Sequence, residues 1–126
     1  MKQNIAALAS VSFLLFGSTT AAIAASLPED TYWCEMYAGS TLMHLGDIQI
    51  SGNIYRGPAH DLTSAEAYEY ELTDAGTINW GGPMGGFNSG GNTIVSTTLK
   101  DNGGNTAFDI TMQLESGNFS TVSCFS

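Results

Sequence analysis

His44, His60 and Asp61 bring together the groups of a general base and its orienting carboxylate, and Ser40 and Ser64 lie nearby in sequence as candidate nucleophiles. A hydrolase built on them would need a serine held on a sharp turn. No Gly-x-Ser-x-Gly stretch supplies one. Two histidines and a carboxylate could also hold zinc, but these three come from separate segments without ligand spacing. Exposed polar residues of connecting loops account for them better, so no catalytic residue, metal or cofactor is assigned. "KDNGGN" from Lys100 is rich in side-chain oxygens yet lacks the alternating aspartates of a calcium loop, and a hairpin turn explains it. Glu69 and Glu71 alternate along one stretch, the pattern of a solvated outer wall rather than of paired active carboxylates.

The glycine-rich stretch "WGGPMGGFNSGGN", Trp80 to Asn92, fails two familiar tests. No Lys-Ser or Lys-Thr follows the glycines and no helical pattern comes after them, so it is not a phosphate cradle. Its flanks read as antiparallel strands, which excludes a dinucleotide-binding turn. What remains is a long uncharged loop carrying Met84 and Phe87. Two arrangements stay open. Either these side chains project from the loop to meet a partner, or Phe87 folds back and plugs the fold beneath it.

The elements that position these residues begin after the first two dozen. MKQNIAALASVSFLLFGSTTAAIAA offers Lys2, an uncharged apolar run from Ile5 to Gly17 and the small-x-small triplet Ala22-Ile23-Ala24, the order of a secretory leader. The apolar run is short for a membrane span, and Trp33 before Cys34 does not suit a lipoprotein cleavage site. Residues 1–24 are read as a signal peptide and 25–126 as one secreted domain. Of the 3 basic residues, removal of Lys2 leaves Arg56 and Lys100 against 12 acidic ones, a net charge of −10. Such a surface repels nucleic acid and anionic lipid, which leaves a secreted or periplasmic protein or a small apolar ligand as partner. Cys34 and Cys124 are the only cysteines, so an oxidising compartment permits a single pairing that closes nearly the whole domain.

Apolar residues recur at period two. In "AFDITMQLE", Phe108, Ile110, Met112 and Leu114 face one way; in "AYEYELT", Tyr68, Tyr70 and Leu72 do; in "GDIQIS", Ile48 and Ile50 do. With "TYWCEMY", "NIYR", "TINW", "TIVSTTL" and "FSTVSCF" this predicts eight strands joined by hairpins. The fold expected is all-β, an eight-stranded antiparallel up-and-down barrel, with a two-sheet sandwich as the alternative. An even strand count puts the start of the first strand and the finish of the last at the same end, and closure makes them neighbours, which brings Cys34 to Cys124. Connections read as long, 38–44, 57–66 and 81–92, are the first, third and fifth, and parity gathers them on the rim opposite the termini. Partner-binding residues expected on that rim are Trp80, Met84, Phe87 and His60. Tyr68, Tyr70, Trp80 and Phe108 either fill the barrel or line a ligand cavity within it.

"TYWCEMY", "TINW" and the closing "VSCFS" resemble small exported bacterial barrels with an early Tyr-x-Cys and a late cysteine. The C-type lysozyme inhibitors and the periplasmic metalloprotease inhibitors are similar in size, disulfide placement and strand content. That resemblance implies a binding or inhibitory barrel. The Ser-Ala-Ser-Gly-Ala stretch of the lysozyme inhibitors is absent, and no lysine stands where their inhibitory one would. The expected function is a non-enzymatic binding or inhibitor module that contacts a protein through its loop rim. A carrier of a small apolar molecule is the alternative, and a hydrolase the third.

Overall fold

The computed structural model describes residues 25–126; the expected leader lies outside them. Eight strands follow in order: β1 (Asp30–Ala38), β2 (Thr41–Ser51), β3 (Ile54–Ala59), β4 (Ala67–Leu72), β5 (Ile78–Trp80), β6 (Thr93–Asn102), β7 (Asn105–Gln113) and β8 (Phe119–Phe125). All pairings are antiparallel, in the order β5-β4-β3-β2-β1-β8-β7-β6. One sheet curls into a nearly closed barrel. The first and last strands are neighbours at its middle, and Cys34 stands directly opposite Cys124 with the disulfide formed. The two edges, β5 and β6, meet at a thinner seam. There Thr77 bridges Thr98, the Leu99 N–H donates to the Gly76 carbonyl (2.8 Å), and the Trp80 indole N–H donates to Thr97 Oγ1 (2.8 Å).

The period-two stretches pack as read. Ile48, Ile50, Phe108, Ile110, Met112 and Val122 turn inward and are buried, while Glu69, Glu71 and Gln113 face water. Two of the loop boundaries need correction. The first connection is only Gly39-Ser40, because β1 and β2 extend through most of 38–44. The third is 60–66, because β3 runs to Ala59. Both errors have the same cause. Pairing shifts between Cys34 and Glu35, where Leu45 is the extra residue of a bulge, so alternation changes phase and adjacent apolar residues disguise the strand. A second shift accommodates Gly57-Pro58 opposite Asp47 to Gln49. Gly57 takes φ +99 there, and a Cβ would collide with the Asp47 carbonyl oxygen, so a turn-like dipeptide sits inside a strand.

Aromatic side chains fill the barrel axis. Tyr32, Tyr55 and Phe108 are fully buried. Ring centroids lie 5.3 Å apart for Tyr32 and Phe108, 4.9 Å for Tyr55 and Trp80, and 5.6 Å for Trp80 and Phe108. Buried phenols require hydrogen-bond partners, and their choice of partner ties loops to the barrel. Tyr32 donates to the Pro28 carbonyl (2.8 Å); Tyr70 donates to the Gly52 carbonyl (2.6 Å) and accepts from the Leu27 N–H (2.8 Å). Leu27 is thereby drawn in as a stopper at the terminal end. At the other end Tyr55 accepts from the Gly82 N–H (3.1 Å) and fixes the start of the glycine loop.

Burial above all, with Asp30 and Tyr70 adding to it, pushes the Tyr32 phenol from 10.0 up to about 12. The folded state therefore keeps a proton that the unfolded chain releases. This contribution to stability is complete below pH 10 and is lost as pH rises through 12. In an alkaline titration, the last tyrosinate absorbance near 295 nm should appear between these limits together with loss of near-ultraviolet circular dichroism. Release of every tyrosine proton below pH 10 with the fold intact would contradict the packing described.

Candidate functional site

The third, fifth and seventh connections, 60–66, 81–92 and 114–118, gather with the β1–β2 turn at the end opposite the termini. The glycine loop folds back onto this end instead of projecting from it. Gly82 crosses so close to the Tyr68 ring that a Cβ would overlap it, which is why a side-chain-free residue is needed there. A short 3-10 turn, Gly85–Asn88, then drives Met84 and Phe87 inward, 1% and 5% exposed. Polar side chains hold the fold-back. Ser89 donates to the Gly85 carbonyl (2.8 Å), Asn92 Nδ2 donates to the Gly86 carbonyl (2.9 Å), and Asn88 Oδ1 accepts from the Ile94 N–H (3.0 Å). Of the two arrangements open in the sequence, this is the plug.

Plugging leaves a shallow mouth above Phe87. A cavity of about 260 Å³ is lined chiefly by Met36, Leu45, Pro58, Phe87, Met112 and Leu114. It falls just below the range of small-molecule sites, roughly 300–1,000 Å³, and suits one bulky side chain. On the outer lip stand Tyr37 and Leu42, register partners on β1 and β2, with Phe119 at the start of β8. They are 67%, 47% and 64% exposed. Large apolar groups held in water at one end of a barrel mark a contact surface. The adjoining loops contribute Asp61, Glu66 and Glu115 but no lysine or arginine.

The other expected rim residues are placed differently. Trp80 is a half-buried wall residue at the seam, with its indole N–H on Thr97, beside Gly82, Met84 and Asn88 of the glycine loop. Met84 is buried beneath the mouth, and only Phe87 reaches the cavity as its floor. His60 meets His44 edge-on at 5.0 Å, and His44 in turn stacks on the half-exposed Trp33 at 3.5 Å. His44, read as a loop residue, lies on β2, and its Nε2 pairs with Asp47 Oδ1 at 2.7 Å.

Asp61 does not orient His60. It accepts from the Thr63 N–H (3.1 Å), the Thr63 hydroxyl (2.6 Å) and the Ser64 hydroxyl (2.9 Å), and these bonds hold its carboxyl below the usual range. It caps the turn Leu62–Ser64, while Arg56 Nη1 donates to the Ala65 carbonyl (2.6 Å) and straps the same loop to β3. Among the described residues no serine hydroxyl hydrogen-bonds to either histidine, and no three His, Cys, Asp or Glu side chains are grouped to hold a metal. One serine does meet a lysine: Lys100 Nζ lies 3.3 Å from Ser123 Oγ. That lysine is exposed and paired with Asp109 at 2.7 Å, the opposite of the desolvated amine that a Ser-Lys pair needs.

The strands and the bridge define a class by architecture alone: an all-β, disulfide-bonded, nearly closed barrel. Comparison with protein-family models, with curated proteins and with solved structures gave no match.

Proposed function

We propose that the protein is an exported, non-enzymatic binding module, of the inhibitor or adaptor kind, that engages a secreted or periplasmic protein through the mouth end of its barrel. The observation that carries this reading is the group of exposed Tyr37, Leu42 and Phe119 on the adjacent strands β1, β2 and β8, at the same end of the barrel as an apolar hollow. Interface cores are built from such aromatic and aliphatic anchors. Export is supported by the leader-like start of the chain and by a disulfide suited to an oxidising compartment. The non-enzymatic character is supported by His44 pairing with Asp47, and by Asp61 accepting from Thr63 and Ser64 as the cap of a turn rather than orienting His60. The carrier alternative gains no support from the barrel axis, which Tyr32, Tyr55 and Phe108 occupy.

The test is capture from the native secreted fraction by the oxidised protein and by a Tyr37→Ser, Leu42→Ser, Phe119→Ser variant. Because all three side chains are exposed, the variant should keep its melting temperature yet lose the captured partner. An Asp74→Asn control at the opposite end should capture as wild type. Equal capture by all three proteins would defeat the mouth as the contact surface.

A further inference from the structure

The plug reverses the direction of contact that the glycine loop suggests. With Met84 and Phe87 turned inward, the protein has no apolar finger on that loop to insert into a partner's cleft. It has a socket. We infer that the mouth receives a single bulky apolar side chain from the partner, presented on a segment flanked by lysine or arginine. This deepens the binding-module reading and rests on it.

Three observations converge. First, the hollow of about 260 Å³ has the size of one side chain, and its walls are apolar except for Asn92 and the Gly86 backbone at its edge. Second, two of its lining residues are methionines. Met112 on β7 is the register partner of Ser120 on β8, whose hydroxyl lies 4.0 Å from Met36 Sδ on β1, and both methionines line the hollow. Unbranched polarisable thioethers repack around differently shaped guests and favour aromatic ones. Third, the charge around the mouth is predominantly negative. Asp61, Glu66 and Glu115 lie in the surrounding loops. Of the two cationic side chains of residues 25–126, Lys100 pairs with Asp109 on the wall, and Arg56 reaches from β3 to the Ala65 carbonyl of loop 60–66. A basic flank on the incoming segment therefore meets a surround whose three carboxylates outnumber its one guanidinium.

The experiment uses the oxidised protein with carbon-13 labelled methionine methyls and capped pentapeptides as probes. Lys-Lys-Phe-Lys-Lys should move the Met36 and Met112 resonances, and Met84 beneath the plug far less. Exchanging the central Phe for Ala, or all four Lys for Glu, should weaken binding at least about tenfold, as loss of an anchor or of charge complementarity does. Glu115→Lys, a change at an exposed site, should weaken the basic peptide about two- to fivefold, the worth of one surface charge pair. Methyls that do not move, equal response to all three peptides, or a response to sodium myristate alone would each overturn the socket. If the socket fails while the Tyr37, Leu42, Phe119 variant still loses its partner, the mouth remains the contact surface. If that variant loses nothing, the binding-module reading itself has failed.

Discussion

Replacing Cys34 and Cys124 together by alanine is expected to lower stability by about 4–5 kcal/mol, the chain-entropy value for a cross-link of this span. The bridge separates its ends by 90 residues and so restrains nearly all of the described chain in the unfolded state. It also sits at a thin junction. β1 and β8 share three registered pairs, against nine between β1 and β2 and seven between β7 and β8. Without the covalent link, the two halves of the sheet, β1–β5 and β6–β8, are joined by that short ladder on one side and by the β5–β6 seam on the other. For a chain of about 100 residues such a loss corresponds to a fall in melting temperature on the order of 20 °C. Both sulfurs are fully buried, so a reductant should act slowly until the barrel opens. Guanidinium unfolding of the oxidised protein and the double variant measures the difference. A loss below about 1 kcal/mol would mean that sheet pairing alone holds the halves together.

Trp80→Ala should cost about 3–5 kcal/mol, the range for removing a large aromatic from a packed interior. The indole packs between Tyr55 and Phe108, and its N–H bonds Thr97, the one polar side chain among the fully buried ones of the described core. Removing it opens a hole and orphans a buried hydroxyl at the seam where β5 and β6 meet. Two further variants separate these effects. Trp80→Phe keeps a ring but strands Thr97, which should cost about 1–3 kcal/mol. Adding Thr97→Val removes the stranded hydroxyl and should recover part of that loss. Amide exchange at Leu99, whose N–H bonds across the seam to Gly76, should accelerate in Trp80→Ala more than exchange within the β7–β8 ladder. Uniform acceleration would show that the seam is no weaker than the rest of the wall.

The strand pattern was legible wherever one face is buried without interruption. Phe108, Ile110 and Met112 alternate with Asp109, Thr111 and Gln113 because a slip by one residue would expose every apolar side chain. The cysteine pairing followed from there being two cysteines, and closure of an even number of strands agreed with it. Legibility failed at bulges. An extra residue at Leu45 and the Gly57-Pro58 step each changed the phase, and strands were read as loops.

The rim was legible as a place but not as a surface. Parity of connections put the loops at one end, yet nothing in a glycine-rich stretch fixes whether Met84 and Phe87 turn in or out. That choice depends on the hollow left by residues distant in sequence, such as Met36 and Met112. The seam role of Trp80 is hidden for the same reason, because its partner Thr97 adjoins it only through closure of the sheet. The exposed lip did carry a signal. Counting outward from buried Cys34 and Cys124 at period two places Tyr37 and Phe119 on the solvent face, where bulky apolar residues have no packing purpose.

Whether the mouth is the contact surface is decided most directly by amide hydrogen exchange on the oxidised protein, alone and bound to the partner it captures. Protection should appear in 60–66, in 81–92 and at the tip of the β1–β2 hairpin, with 52–53, 73–77 and 103–104 at the opposite end unchanged. Protection confined to the opposite end, or spread along the outer walls with the mouth unaffected, would contradict it.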